Sequence, residues 1–108
     1  EETGDMESNR ELAERLLGAA AQSPSGQEIL NATLKVADTL LQKNRAYGDS
    51  ALDPVRVFSK ANTEEQIRVR MDDKLSRLAR GNADGEDVEL DLMGYIVLMR
   101  IARARNAG

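Results

Sequence analysis

Three stretches of the chain concentrate ionisable side chains at positions where a helix would turn them towards its buried face. They are Lys43-Asn44-Arg45-Ala46-Tyr47-Gly48-Asp49-Ser50, Arg68-Val69-Arg70-Met71-Asp72-Asp73-Lys74-Leu75-Ser76-Arg77-Leu78, and Glu86-Asp87-Val88-Glu89-Leu90-Asp91-Leu92-Met93-Gly94-Tyr95. Charge is costly to bury unless it is paired or holds a ligand. Asp91 lies one helical turn before Tyr95 and beside Val88 and Leu92 on the helical wheel, with Asp87 one turn earlier. Two carboxylates one turn apart can present oxygens to Mg²⁺. The same residues have a plainer use, in which Asp87 favours a helix N-terminus and Asp91 pairs with an arginine.

The middle stretch also has two uses. Arg68 with Asp72 and Asp73 with Arg77 are i, i+4 pairs, worth about 0.3–0.5 kcal/mol each on a surface. Asp73 and Lys74 also sit between Arg70 and Arg77. A carboxylate ringed by three cations makes an anion site with an Asp able to hold a metal. In the first stretch Lys43 lies one turn before Tyr47, so a cation and a stacking ring share one wall, and the loop that follows is a place where function concentrates. The plainer account is a helix C-cap with a core tyrosine. Gly94 is expected to permit close helix packing and is assigned no chemistry.

Composition narrows the chemistry. Cysteine and histidine are absent, which excludes disulfides, thiolate metal sites, Ser-His triads and histidine bases. Any metal is then a hard cation held by carboxylates and water. Net charge is -4 with acids and bases interspersed, so direct nucleic-acid binding is not expected. No apolar run approaches the roughly 20 residues of a membrane span. No signal-peptide pattern is visible, and the expected compartment is the cytoplasm.

The elements that must position these side chains read as all-α, a bundle of four main helices plus a short one after Pro54, in one domain of 108 residues. Three aromatics and no Trp leave Leu, Ile, Val, Ala and Met to fill a lean core. Residues 1–7 read as a polar, frayed end. Ser8 and Glu11 form a capping-box pattern, followed by a helix to about Gln22. Ser25 and Glu28 are expected to cap a second helix, from about Gly26 to Tyr47, with Gly48 as its C-terminal stop. Asp53-Pro54 predicts a short helix to Lys60. Thr63 and Gln66 suggest the cap of a third helix ending at about Arg80, and a fourth runs from about Glu86 to Arg103. The Leu12/Leu16/Leu17 and Ile29–Leu41 stripes exceed what so small a bundle readily covers, so a homo-oligomer, most simply a dimer, is expected.

Taken together, Lys43…Tyr47-Gly48-Asp49-Ser50, Phe58-Ser59, Arg70…Asp73-Lys74-Leu75-Ser76-Arg77-Leu78 and Glu86-Asp87…Asp91-Leu92…Gly94-Tyr95 resemble the phage and prophage family called the nucleotide-modification-associated domain, type 1. The resemblance spans about residues 30–102. The layout is also similar to that of the all-α, MazG-like nucleoside-triphosphate pyrophosphatases, which bind Mg²⁺ through an E-x-x-E pair and an E-x-x-D pair on successive helices. Here Asp72-Asp73 stands where the first pair would be, and Glu86/Asp87…Asp91 where the second would be.

The resemblance implies a phage-type, MazG-like nucleotide-binding protein of the host-cell cytoplasm, linked to nucleotide or DNA modification. If it is catalytic, the expected reaction is hydrolysis of a nucleoside triphosphate between the α- and β-phosphates. Asp73, Asp87 and Asp91 would hold Mg²⁺, with Asp73 and Asp91 as the catalytic pair. Lys43, Ser50, Arg70, Lys74 and Arg77 would meet the nucleotide, and Tyr47 would stack on its base or ribose. The alternative is a non-catalytic, oligomeric helical accessory protein that binds a host protein or sequesters a nucleotide, with the charged pairs structural.

Overall fold

The computed structural model describes residues 7–48, 51–52, 62–81 and 87–107. The protein is all-α, as its periodicity predicts, and the described residues form four long helices: α1 (Asn9–Ala20), α2 (Pro24–Tyr47), α3 (Thr63–Ala79) and α4 (Val88–Ala107). No strand occurs among the described residues. The expected short helix at Pro54–Lys60, residue Ser50 and the first six of the seven residues expected as a frayed end lie outside them. Residues 1–35 and 36–108 form two compact units.

In the first unit, the Ser8 and Glu11 capping box starts α1. The Glu11 N–H donates to Ser8 Oγ at 3.1 Å, and Ser8 N–H reaches back to Glu11 Oε1. Arg15 pairs with Glu7. The start of α2 corrects the sequence expectation. Ser23, not Ser25, caps it, its Oγ accepting from Gly26 N–H at 2.9 Å and its carbonyl from Gln27 N–H. Pro24 then takes the first helical position, where a missing N–H costs nothing. Ala20 is buried, while Leu16, Leu17, Ile29 and Leu34 are exposed.

The second unit holds the rest of α2 together with α3 and α4. Asn62, not Thr63, caps α3, with Oδ1 accepting from Glu65 N–H at 2.8 Å. Glu64 and Glu65 occupy the first turn, where the helix dipole favours negative charge. Gly48 and Gly81 end α2 and α3 with φ of 60° and 68°, a left-handed backbone that glycine adopts without a Cβ penalty. Ile67, Met99 and Ala102 form the buried centre where α3 packs on α4, with Leu52, Met71, Tyr95 and Leu98 against them. Glu64 ties the start of α3 to the end of α4: Asn106 Nδ2 donates to it at 2.8 Å, and Arg103 Nε lies 3.6 Å away. Leu75, Leu78 and Ile96 are exposed. With so few large side chains between them, the helices bury a narrow strip.

Candidate functional site

A pocket of about 330 Å³ lies in the second unit, walled by α2 and α4 with Arg70 from α3 and Ala51 from the segment after α2. The face that α2 gives to it follows from helical spacing. Leu40, Lys43, Asn44 and Tyr47 recur at i, i+3, i+4 and i+7, so one side of the helix presents a methyl-rich base, a cation, an amide and a ring in order. From α4 come Leu90, Asp91, Gly94, Tyr95 and Leu98. Val36, Leu40, Leu90 and Leu98 make apolar walls. Gly94 permits the close approach of α2: a Cβ there would stand 3.0 Å from Leu40 Cδ2. The sequence expectation of close packing at Gly94 fits this contact.

Asp91 is the electrostatic centre. Its Oδ1 accepts from Lys43 Nζ at 2.9 Å, and its Oδ2 lies 3.1 Å from Lys74 Nζ. One carboxylate therefore gathers ammonium groups from α2 and α3 onto α4. The partners are two lysines, not the arginine of the plainer sequence account. The Asp91 and Lys74 side chains keep 15% and 13% of their surface exposed, whereas Lys43 keeps 53%. Burial by itself raises the Asp91 pKa. The hydrogen bonds from Lys43 and Lys74, and then their charges, outweigh it and hold the carboxyl below its ordinary value. Lys43 and Lys74 thus meet on one carboxylate, and Arg70 adds a second cation to the lining beside Lys43.

The sequence-predicted residues thus divide. Lys43, Tyr47, Arg70 and Asp91 line the pocket, and Lys74 joins them through Asp91. Asp73 is exposed and paired within α3 to Arg77, at 3.3 Å. Asp87 sits just before α4, its Oδ1 accepting from Leu90 N–H at 2.9 Å. That is the helix-capping use. Ser50 lies outside the described residues. Asn44, Thr39 and Tyr95 also line the pocket. Tyr95 was visible in sequence as part of the third charged stretch, and Asn44 could have been found by extending the α2 stripe one more turn.

These contacts bear on the expected Mg²⁺. Among the described residues, no three carboxylates are grouped to hold a metal ion. Asp73 and Asp87 are engaged apart from Asp91, and each oxygen of Asp91 already meets an ammonium group. Among the described residues, the Asp91 carboxylate is arranged to meet cations carried on lysine. Compared with models of known protein families, with curated proteins and with solved structures, the chain gives no match. Among the described residues, no helix is long and apolar enough to cross a membrane.

Proposed function

We propose that this pocket binds a nucleotide. The observation that carries the proposal is the meeting of two tyrosine rings, Tyr47 and Tyr95, with Lys43 and Arg70 on one pocket lining, where Asp91 holds the Lys43 ammonium in place. Rings and apolar walls suit a base or ribose, and the Lys43 and Arg70 cations suit phosphate. The volume, about 330 Å³, is at the lower end for small-ligand sites. Asp91 acts as a positioning residue that gathers the lysines. Lys43, the more exposed of the two, is the one free to turn from Asp91 to a phosphate oxygen, while Lys74 stays to neutralise the carboxylate.

The family resemblance would extend this to phage nucleotide or DNA modification and to Mg²⁺-dependent hydrolysis of a nucleoside triphosphate. Hydrolysis of that kind needs a cation where Asp91 now meets two ammonium groups, so binding is the activity proposed. A second reading, a non-catalytic accessory protein that sequesters a nucleotide or binds a host protein, is favoured by the separate engagement of Asp73, Asp87 and Asp91.

Titration calorimetry with nucleoside mono-, di- and triphosphates, with and without Mg²⁺, tests the proposal. Saturable binding that persists without Mg²⁺ is expected, and Lys43→Ala weakens it by about tenfold, the loss of one charge-assisted hydrogen bond. The absence of saturable heat with every nucleotide would refute it. Pyrophosphate release from a triphosphate in the presence of Mg²⁺ would favour the catalytic extension over sequestration.

A further inference from the structure

Helix α4 is apolar on both sides. Its inner side carries the buried Val88, Gly94, Met99 and Ala102. On its outer side Glu89, Met93, Val97, Ile101 and Arg105 follow one another at intervals of four residues, which places them in a single row along the helix. Met93, Val97 and Ile101 are 45%, 39% and 37% exposed, and Ile96 beside them 49%. Glu89 and Arg105, at the two ends of the row, are exposed as well. A contiguous row of exposed apolar side chains on a soluble helix marks a surface for a partner.

We infer that a second copy of this chain covers the row, docked antiparallel with Val97 at the two-fold axis. The order of residues selects this occupant. Reversing the row about Val97 sets Met93 of each copy against Ile101 of the other, and Glu89 of each against Arg105 of the other. One row thus supplies three apolar layers and two ion pairs from its own sequence, the self-complementarity a two-fold interface requires. A parallel pairing would instead set Glu89 on Glu89 and Arg105 on Arg105. Rows of four-residue spacing run alongside each other when two helices cross at about -50°, the commonest helix packing. The ends of the row therefore stay in register over its length of about 24 Å. The Arg100 stem lies beside the row and can cover apolar surface with its charge in solvent. This interface is independent of the pocket, which opens between α2 and α4.

Sedimentation velocity over a concentration series tests the inference, with circular dichroism to check that each variant is folded. The wild type is expected to form a dimer. Glu89→Arg and Arg105→Glu each set like charges at both ends and raise the dimer Kd about tenfold, and the double reversal restores it. The chain has no cysteine, so a single introduced thiol reports its own neighbour. A short bismaleimide should join two Val97→Cys chains efficiently and two Glu89→Cys chains poorly. An equal mixture of Glu89→Cys and Arg105→Cys chains should give the mixed dimer. A wild type that stays monomeric into the hundreds of micromolar would overturn the inference. So would a double reversal that fails to restore the dimer, or Glu89→Cys chains that cross-link as readily as Val97→Cys chains.

Discussion

Lys74 reaches from α3 to Asp91 on α4, with Nζ 3.1 Å from Oδ2 and both side chains largely buried. The pair lies 17 positions apart in sequence and joins two helices that also share a lean apolar strip and the Glu64 contacts at its far end. Lys43 completes the contact from α2, at 2.9 Å on the other oxygen. A single carboxylate thus fastens three helices at the edge of the pocket.

That arrangement makes part of the stability depend on pH. In the folded protein the Asp91 carboxyl titrates below its ordinary value of 3.8, where the unfolded chain would hold it. Between the two values the unfolded state binds more protons than the folded state, so stability falls as pH falls. The contribution of Asp91 should be fully present above the unfolded value and lost as pH drops through the lower, folded one. Urea unfolding from pH 6 down to about pH 2 should show this loss, and Asp91→Asn should flatten that part of the curve. An unchanged slope in the variant would show that other carboxylates carry the acid sensitivity.

Gly94→Ala should act on the pocket and the fold together. The added methyl would stand 3.0 Å from Leu40 Cδ2. That neighbour is the end of a flexible side chain, so Leu40 can move aside instead of forcing the backbone apart. In its favour, alanine gains about 1 kcal/mol in helix propensity over glycine. The net change in unfolding free energy is therefore expected to stay within about 1 kcal/mol, while displaced Leu40 narrows the pocket and weakens nucleotide binding. Melting temperature and titration calorimetry on the same variant separate the two effects. A large stability loss together with lost binding would mean that α2 itself has moved.

The helices were legible in sequence because their signals are local. The Ser8 and Glu11 box, the glycines at positions 48 and 81 and the apolar periods all act within a few residues. Where two caps competed, the hydroxyl before Pro24 won over Ser25, and the amide of Asn62 over the hydroxyl of Thr63. Asp87 carried two compatible local meanings, and in the structure it meets the backbone of its own helix. The pocket was half legible. The α2 face could be read from spacing, and Lys43 and Tyr47 were expected on one wall. The grouping of Lys43 and Lys74 on Asp91 depends on how three helices pack, which no local pattern encodes. Asp73 looked equivalent to Asp91 in sequence, yet it pairs within its own helix and stays in solvent.

Glu64→Gln should loosen the far end of the α3 and α4 pair without touching the pocket. Glu64 Oε2 accepts from Asn106 at 2.8 Å, and Oε1 lies within 3.6 Å of Arg68 and Arg103. The arginines are half-exposed or more, so their pairs are worth little individually. The total loss should be about 1 kcal/mol, with faster amide exchange confined to the last turn of α4. Uniform exchange along α4 would show that Glu64 is not a local tether.

Asp91→Asn separates the two uses of the charged cluster. The amide keeps the volume of the carboxylate but loses its charge, leaving Lys74 largely buried beside a neutral group. Breaking a fully buried pair costs about 3–5 kcal/mol, and an exposed pair costs at most about 1. With Lys74 mostly buried and Lys43 half in solvent, the expected loss lies between these, at about 1–3 kcal/mol. If nucleotide binding needs Asp91 only to position Lys43, the variant should still bind, because the Lys43 ammonium remains on the pocket wall to meet phosphate. Affinity should then fall less than for Lys43→Ala. If instead Asp91 holds a divalent cation, affinity in Mg²⁺ should collapse while affinity without Mg²⁺ is unchanged. Paired titrations of the one variant, with Mg²⁺ and with a chelator, decide between them, and its melting temperature reports the structural share of the same carboxylate.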